Sequence, residues 1–240
     1  MNAPATAPNR GTTLLELKGV SSGYGAITVL RSLDFHIDSG EVVALIGPNG
    51  AGKTTTLLTM AGEITPVSGE IHLLGSKTTA PMYARCRAGV GFVTEERSVI
   101  MDLTAEENLR LANVSVAQAC GLFPELEPLM GRKAGLLSGG EQQMLTLARA
   151  LGRDIKVLLA DELSLGLAPL IVERLLAAVQ AAAKERGVGV LLVEQHVRKA
   201  LQFADRACVM SRGQIVIEGT ANEIRDRLPE IEAAYLSGFD

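Results

Sequence analysis

The octapeptide Gly47-Pro48-Asn49-Gly50-Ala51-Gly52-Lys53-Thr54 constrains the fold of this chain more than any other segment. It fits the pattern GxxxxGK[ST], follows directly on the apolar run Val42 to Ile46, and leads directly into the helix-compatible stretch Thr55 to Met60. Strand, glycine-rich loop and helix in that order build a cradle for phosphate. The glycines let successive backbone N–H groups curl around phosphate oxygens, while the helix dipole and Lys53 add positive charge at the β and γ positions. The Thr54 hydroxyl can then ligate Mg²⁺. The plain alternative is a glycine-rich turn without a ligand, and such a string arises by composition in roughly one chain of this length per hundred. The flanking strand and helix favour the phosphate reading.

The rest of the chain supplies a frame for that loop. Short apolar runs at Leu14 to Leu17, Leu33 to Ile37, Val42 to Ile46, Ile71 to Leu74 and Val90 to Val93 make the N-terminal third mostly strand. Val157 to Ala160 and Val190 to Val193 are further buried runs, and the segment between them sets Ile171, Val172, Leu175, Leu176 and Val179 on one helical stripe. Strand, helix, strand implies parallel strands covered by helices. Ala207 to Met210 and Gln214 to Ile217 read as a hairpin turning at Ser211, Arg212 and Gly213, and short helices are expected to close the chain. From Leu103 to Leu137 the spacing becomes helical, starting at a capping box in which Thr104 precedes Glu107 by three. The spacing therefore predicts a helical subdomain inserted over about residues 100–145. At 240 residues, one core with an attached subdomain is the expected organisation, with 1–13 as a loose tail and 14–240 as a single domain.

Two further segments carry chemistry. Val157-Leu158-Leu159-Ala160-Asp161-Glu162 is an apolar strand ending in two acids. At a strand tip beside a phosphate loop, Asp161 is suited to hold Mg²⁺ and Glu162 to polarise an attacking water as general base, although two acids after a strand can also be no more than a solvated turn. Leu137-Ser138-Gly139-Gly140-Glu141 opens a helix whose later residues include Met144, Leu147, Ala148 and Leu151. Ser138 with Glu141 is a capping box and needs no ligand to explain it. A serine hydroxyl and bare glycine N–H groups at a helix start nevertheless form a second anion site, which suggests that one site completes its twin in another subunit.

Charge and composition exclude several classes. The net charge is −4, with 23 Lys plus Arg against 27 Asp plus Glu, so nothing offers a broad positive field for nucleic acid. No apolar run nears the ~18 residues needed to cross a bilayer, and Met1 to Thr13 lack the apolar core of a secretory signal. A cytosolic protein is expected. Cys86, Cys120 and Cys208 are odd in number and far apart, which fits free thiols, and His36 and His72 read as packed or half-exposed strand histidines.

Taken together, GPNGAGKTT at 47–55, LSGGEQQ at 137–143, LLADE at 158–162 and His196 after Val193-Glu194-Gln195 resemble the ATPase subunit of an ABC transporter, in the family's motif order. Within that family, LSLGLAP at 163–169, LLVEQH at 191–196 and AAYLSG at 233–238 look most like the LivF-type ATPase of branched-chain amino acid importers. The resemblance implies an α/β fold: a P-loop core with a mostly parallel sheet, an N-terminal antiparallel sheet and the helical insertion. It implies ATP and Mg²⁺ as ligands. Gly47, Asn49, Gly50, Ala51, Gly52, Lys53, Thr54 and Thr55 would surround the phosphates, with Tyr24 stacked on adenine unless it is a core tyrosine. His196 would be the switch histidine at the γ-phosphate, and Ser138, Gly139 and Gly140 would reach the nucleotide of the opposing subunit. Thr54, Asp161 and Glu95 would serve the metal, and Ser164 to Leu167 would lie at the dimer seam.

The implied partners are a second ATPase, either a copy or a paralogue, two membrane permease subunits and, indirectly, an external substrate-binding protein. The chain would then sit on the inner face of the cell membrane. Urea or amide import, lipopolysaccharide-type export and a non-transport ATPase of the same family remain as alternatives. Three departures stand out. Glu95 replaces the family's usual Gln, Leu163 replaces the Pro usual after Asp-Glu and is expected to loosen that turn, and the stretch from Glu107 to Ser138 looks about ten residues shorter than in close relatives.

Overall fold

Val42–Ile46, Val157–Asp161 and Gly189–Val193 are buried at every position, which a strand achieves only when both faces of its sheet are covered. In the computed structural model, which describes residues 11–94, 96, 98–194 and 197–231, these runs lie at the centre of the fold. Chain order is β1 (Thr13–Tyr24), β2 (Ile27–Asp38), β3 (Val42–Ile46), α1 (Lys53–Ala61), β4 (Ser68–Leu73), β5 (Ser76–Lys77), α2 (Met82–Arg87) and β6 (Val90–Val93). The helical stretch follows with α3 (Ala105–Leu111), α4 (Val116–Leu122) and α5 (Gly139–Leu151), then β7 (Val157–Asp161), α6 (Pro169–Arg186), β8 (Gly189–Val193), α7 (Val197–Phe203), β9 (Arg206–Ser211), β10 (Gln214–Thr220) and α8 (Ala221–Asp226).

One sheet, in the order β2-β1-β4-β5, is antiparallel. The larger sheet runs β10-β9-β3-β8-β7-β6, and all its pairings are parallel except the β9–β10 hairpin. Alternation along the central strands sorts two cores. Val42, Ala44 and Ile46 join Leu158, Ala160, Val190 and Leu192 beneath α5, α6 and the helical subdomain. Val43 and Leu45 join Val157, Leu159, Leu191 and Val193 beneath α1 and the antiparallel sheet.

Between β6 and α5 the helical subdomain is two short helices followed by two 3-10 segments, Pro124–Leu129 and Ala134–Leu136, with Asn113 turning the chain at φ 56° after α3 and Pro124 following the end of α4. Thr104–Glu107 caps α3 as expected, and Ser115–Gln118 caps α4 in the same way. Arg174 of α6 clamps this unit to the core through Glu125 at 2.8 Å and across the Phe123 ring. Asn108, fully buried, fixes the loop before α3: its Oδ1 accepts from Ile100 N–H at 2.8 Å, and its Nδ2 donates to the Ile100 and Thr104 carbonyls at 3.0 Å each. Asn108→Ala removes these partners together and should cost about 1–3 kcal/mol, at about 2–4 °C of Tm per kcal/mol. A thermal melt indistinguishable from wild type would contradict this role.

Candidate nucleotide site

Parallel register brings the chemistry to one edge. Leu45 pairs with Val193, and Val193 with Asp161, so the carboxyl ends of β3, β8 and β7 are level across three neighbouring strands. Val93 pairs with Ala160, so the loop after β6 emerges at the same edge. Among the described residues, 47–53, 94, 161–164 and 194 therefore leave the sheet at one edge although far apart in sequence, the edge where open parallel sheets bind ligands.

The loop after β3 is built for close backbone approach. A Cβ on Gly47 would stand 2.4 Å from the Met210 carbonyl oxygen, so only glycine lets β9 back the loop this closely. Gly52 caps α1 with φ 110°, a backbone conformation that favours glycine. The β9–β10 turn braces the loop through Gly213 N–H to the Ala51 carbonyl at 2.8 Å. Asn49 and Gly50 are exposed at its tip and Thr54 is exposed at the helix start, whereas Ala51 and Thr55 are buried. Lys53 is only 6% exposed and its Nζ donates to the Gly47 and Pro48 carbonyls at 2.8 and 3.0 Å. Burial lowers its pKa, and the charges of Glu162 and Asp161 act in the opposite direction, which sets both acids close to the ammonium. A buried ammonium on loop carbonyls, an exposed Thr54 hydroxyl and a carboxylate at Asp161 are the donor set that a nucleoside triphosphate with Mg²⁺ requires.

Asp161 is the last residue of β7 and 5% exposed. Glu162 turns the chain out of the sheet with φ 50°, a strained region for any residue but glycine, asparagine or aspartate. Three anchors hold it there, against the expectation of a looser turn. Glu162 N–H donates to the Val193 carbonyl at 2.8 Å, Leu163 is buried in the helix-side core at 1% exposure, and Ser164 is tied to Glu194. Leucine thus fixes by burial what a proline would fix by its ring.

Tyr24 ends β1 opposite Ile27 at the tip of the first hairpin, 51% exposed, so it is not a core residue and its ring is open to a planar ligand. Ser138 caps α5, accepting from Glu141 N–H while Glu141 accepts from Ser138 N–H at 2.6 Å, with Gly139 and Gly140 half-exposed beside it. This helix packs into the core on one face of the large sheet and α1 into the core on the other. Glu95, His196 and the segment 233–238 lie outside the described residues. Their neighbours are described: Thr94 Oγ1 donates to the Glu96 carbonyl at 2.6 Å, and Arg149 of α5 donates to the Ser98 carbonyl, coupling the loop after β6 to the serine-capped helix.

The sequence profile of the ABC transporter family matches residues 30–164. The chain belongs to the ABC transporter ATP-binding family. It is 39% identical to the high-affinity branched-chain amino acid transport ATP-binding protein BraG of Pseudomonas aeruginosa, over 94% of this chain and all of that one. A probable branched-chain amino acid transport ATP-binding protein, LivF of Archaeoglobus fulgidus, is 36% identical over 88% of this chain and 94% of its own. Among solved structures, a dimeric bacterial ABC transporter cassette superposes with a TM-score of 0.78 at 26% identity, over 87% of this chain and 99% of that one. The chain is thus an ATP-binding ATPase subunit of the transporter type, with an α/β P-loop fold. Among its described residues, no helix is long and apolar enough to cross a membrane.

One residue of this cassette was visible in sequence only as part of a motif. Glu194 is a lone acid at the end of a fully apolar strand, and it is 2% exposed. Burial pushes its carboxyl up to about 7, with Glu162 and Asp161 adding to the rise and the two Ser164 donors opposing it. A folded-state pKa above the ordinary 4.5 means that the native form prefers the proton, so its stability is greatest below pH 4.5 and falls as pH rises through about 7. Glu194→Gln cannot ionise. Its stability relative to wild type should increase between pH 4.5 and about 7, measured by denaturant unfolding across that range, and parallel pH curves would contradict the shift.

Proposed function

We propose that this cassette energises an importer of amino acids, with branched-chain amino acids as cargo. The observation that carries the ATPase part is the convergence of the phosphate loop, Asp161 and Glu162 at one sheet edge. The cargo rests on the two branched-chain amino acid relatives, which match nearly the whole chain.

In this reading Tyr24 stacks on adenine, and the N–H groups of Gly47 and of residues 49–55 surround the phosphates. Lys53 exchanges its loop carbonyls for β and γ oxygens. Thr54, Asp161 and Glu95 would hold Mg²⁺, which would neutralise charge on the phosphate oxygens. Glu162 takes a proton from the attacking water, and His196 fixes that water against the γ-phosphate.

The packing of α1 and α5 on opposite faces of the sheet supports a nucleotide shared between chains, held by one chain's phosphate loop and the other's Ser138-Gly139-Gly140. Two cassettes meeting head to tail would satisfy both ends twice over, with Ser164 to Leu167 at the seam. ATP would hold them closed through its γ-phosphate, and hydrolysis would release them. The partner is a copy of this chain or a paralogous ATPase. Ile100, Met101 and Leu136 are exposed apolar residues, with Gly135 N–H on the Met101 carbonyl at 2.9 Å holding the two stretches together, and they suit the docking of one permease subunit on each cassette. The cassette would then lie on the inner face of the membrane, with a substrate-binding protein acting outside.

Glu162→Gln should lower turnover by about a hundredfold or more while leaving MgATP binding intact, whereas Lys53→Ala should weaken MgATP binding itself by about tenfold to a hundredfold. Tagged Glu162→Gln, expressed in its native cell and solubilised gently with MgATP, should co-purify with two permease proteins and a second ATPase. Recovery of soluble partners alone would remove the transport reading, and a permease of export type would move the cargo.

A further inference from the structure

Backbone pairing between β7 and β8 runs out at the site. The parallel ladder ends at Asp161 with Val193, and the last backbone bond is Glu162 N–H to the Val193 carbonyl at 2.8 Å. Beyond it Glu162 turns away with φ 50° and leaves the sheet. The next inward donor is Ser164 N–H, and a side chain receives it: Glu194 Oε1 accepts at 3.1 Å, while Glu194 Oε2 accepts from Ser164 Oγ–H. One carboxylate thus stands in for the missing strand and prolongs the ladder past its end. Between these two tied residues, Leu163 is sunk in the core.

The loop that follows depends on the same tie. Leu165 N–H donates to the Glu162 carbonyl at 3.3 Å and Leu167 N–H to the Ser164 carbonyl at 3.2 Å, so the course of residues 164–167 is set by where Ser164 is held. An acid is a costly way to hold it. Glu194 is almost wholly out of water and feels the negative charges of Asp161 and Glu162, a position where a neutral acceptor would fold at lower cost. What the carboxylate supplies in return is two acceptors in a rigid plane, both directed at one residue.

We infer that Glu194 is a positioning residue for ATP hydrolysis: through Ser164 it holds the Glu162-Leu163-Ser164 turn in the geometry that aims Glu162 and presents residues 164–167 to the opposing cassette. This rests on Glu162 being the base, as proposed above.

The test measures turnover and MgATP affinity separately for the purified full chain in four variants, with thermal melts as a check on folding. Glu194→Ala should lower kcat about tenfold or more and leave ATP affinity within about twofold, since the phosphate loop is untouched. Glu194→Gln keeps an acceptor for Ser164 N–H and a donor to Ser164 Oγ, and should restore kcat to within about threefold of wild type. Ser164→Ala loses one of the two contacts and should fall between them. Glu194→Ala with wild-type turnover, Glu194→Gln no better than Glu194→Ala, or affinity falling in step with kcat would each overturn the inference. If Glu194→Ala does not fold, Ser164→Ala decides, and full activity in that variant overturns it. Glu162→Gln is the control for the underlying assignment. A Glu162→Gln that hydrolyses at the wild-type rate removes the base and the inference together, whereas a silent Glu162→Gln beside fully active Glu194→Ala and Ser164→Ala overturns the inference alone.

Discussion

The parallel ladder that joins β3, β8 and β7 is the constraint on which the rest of this cassette depends. It levels Leu45, Val193 and Asp161, and the phosphate loop, the Glu162 turn and Glu194 all leave the sheet just beyond that line. Burial sets the register. Each fully buried Val, Leu or Ile contributes about 1.5–3 kcal/mol, against about 1 kcal/mol net for a hydrogen bond. A slip of one residue would carry Val43 and Leu45 to the helix side and Val42, Ala44 and Ile46 to the other, misfitting both cores. The site is therefore aligned by packing remote from it, and its own polar contacts serve only to orient side chains at the ends.

Those ends gather features that a stability-optimised protein avoids. Lys53 is a buried ammonium, Glu162 sits in left-handed backbone, and Glu194 is a buried acid beside two others. Each disfavours folding on its own, and all three stand at one edge of a sheet whose interior is otherwise wholly apolar. A buried ammonium, a strained turn and a buried acid together at one edge support the assignment of chemistry to it.

What was legible in the sequence was local. The phosphate loop, the capping boxes at Thr104 and Ser138, the Arg212-Gly213 hairpin and the stripe on α6 are all encoded within a few residues, and each stands where its spacing predicts. The first two strands run longer than their apolar runs, because β1 continues through Ser21, Ser22 and Gly23 in a bulged register that no alternation reveals. The Leu103 to Leu137 stretch was readable as helical but not as two helices and two 3-10 turns, since the break at Asn113 is a single unusual φ. The openness of Tyr24, the anchoring of Leu163 and the Ser164–Glu194 tie were not legible. They depend on which strands become neighbours, and thirty residues separate Ser164 from Glu194.

The most direct test of this account is a structure of the Glu162→Gln chain determined with MgATP. The account predicts phosphates against the backbone of residues 47–55, Lys53 Nζ moved from the Gly47 and Pro48 carbonyls onto the β and γ oxygens, and the metal on Thr54 and Asp161. A nucleotide bound elsewhere, or a Lys53 that still holds its own loop carbonyls with ATP present, would contradict the assignment of this sheet edge as the site.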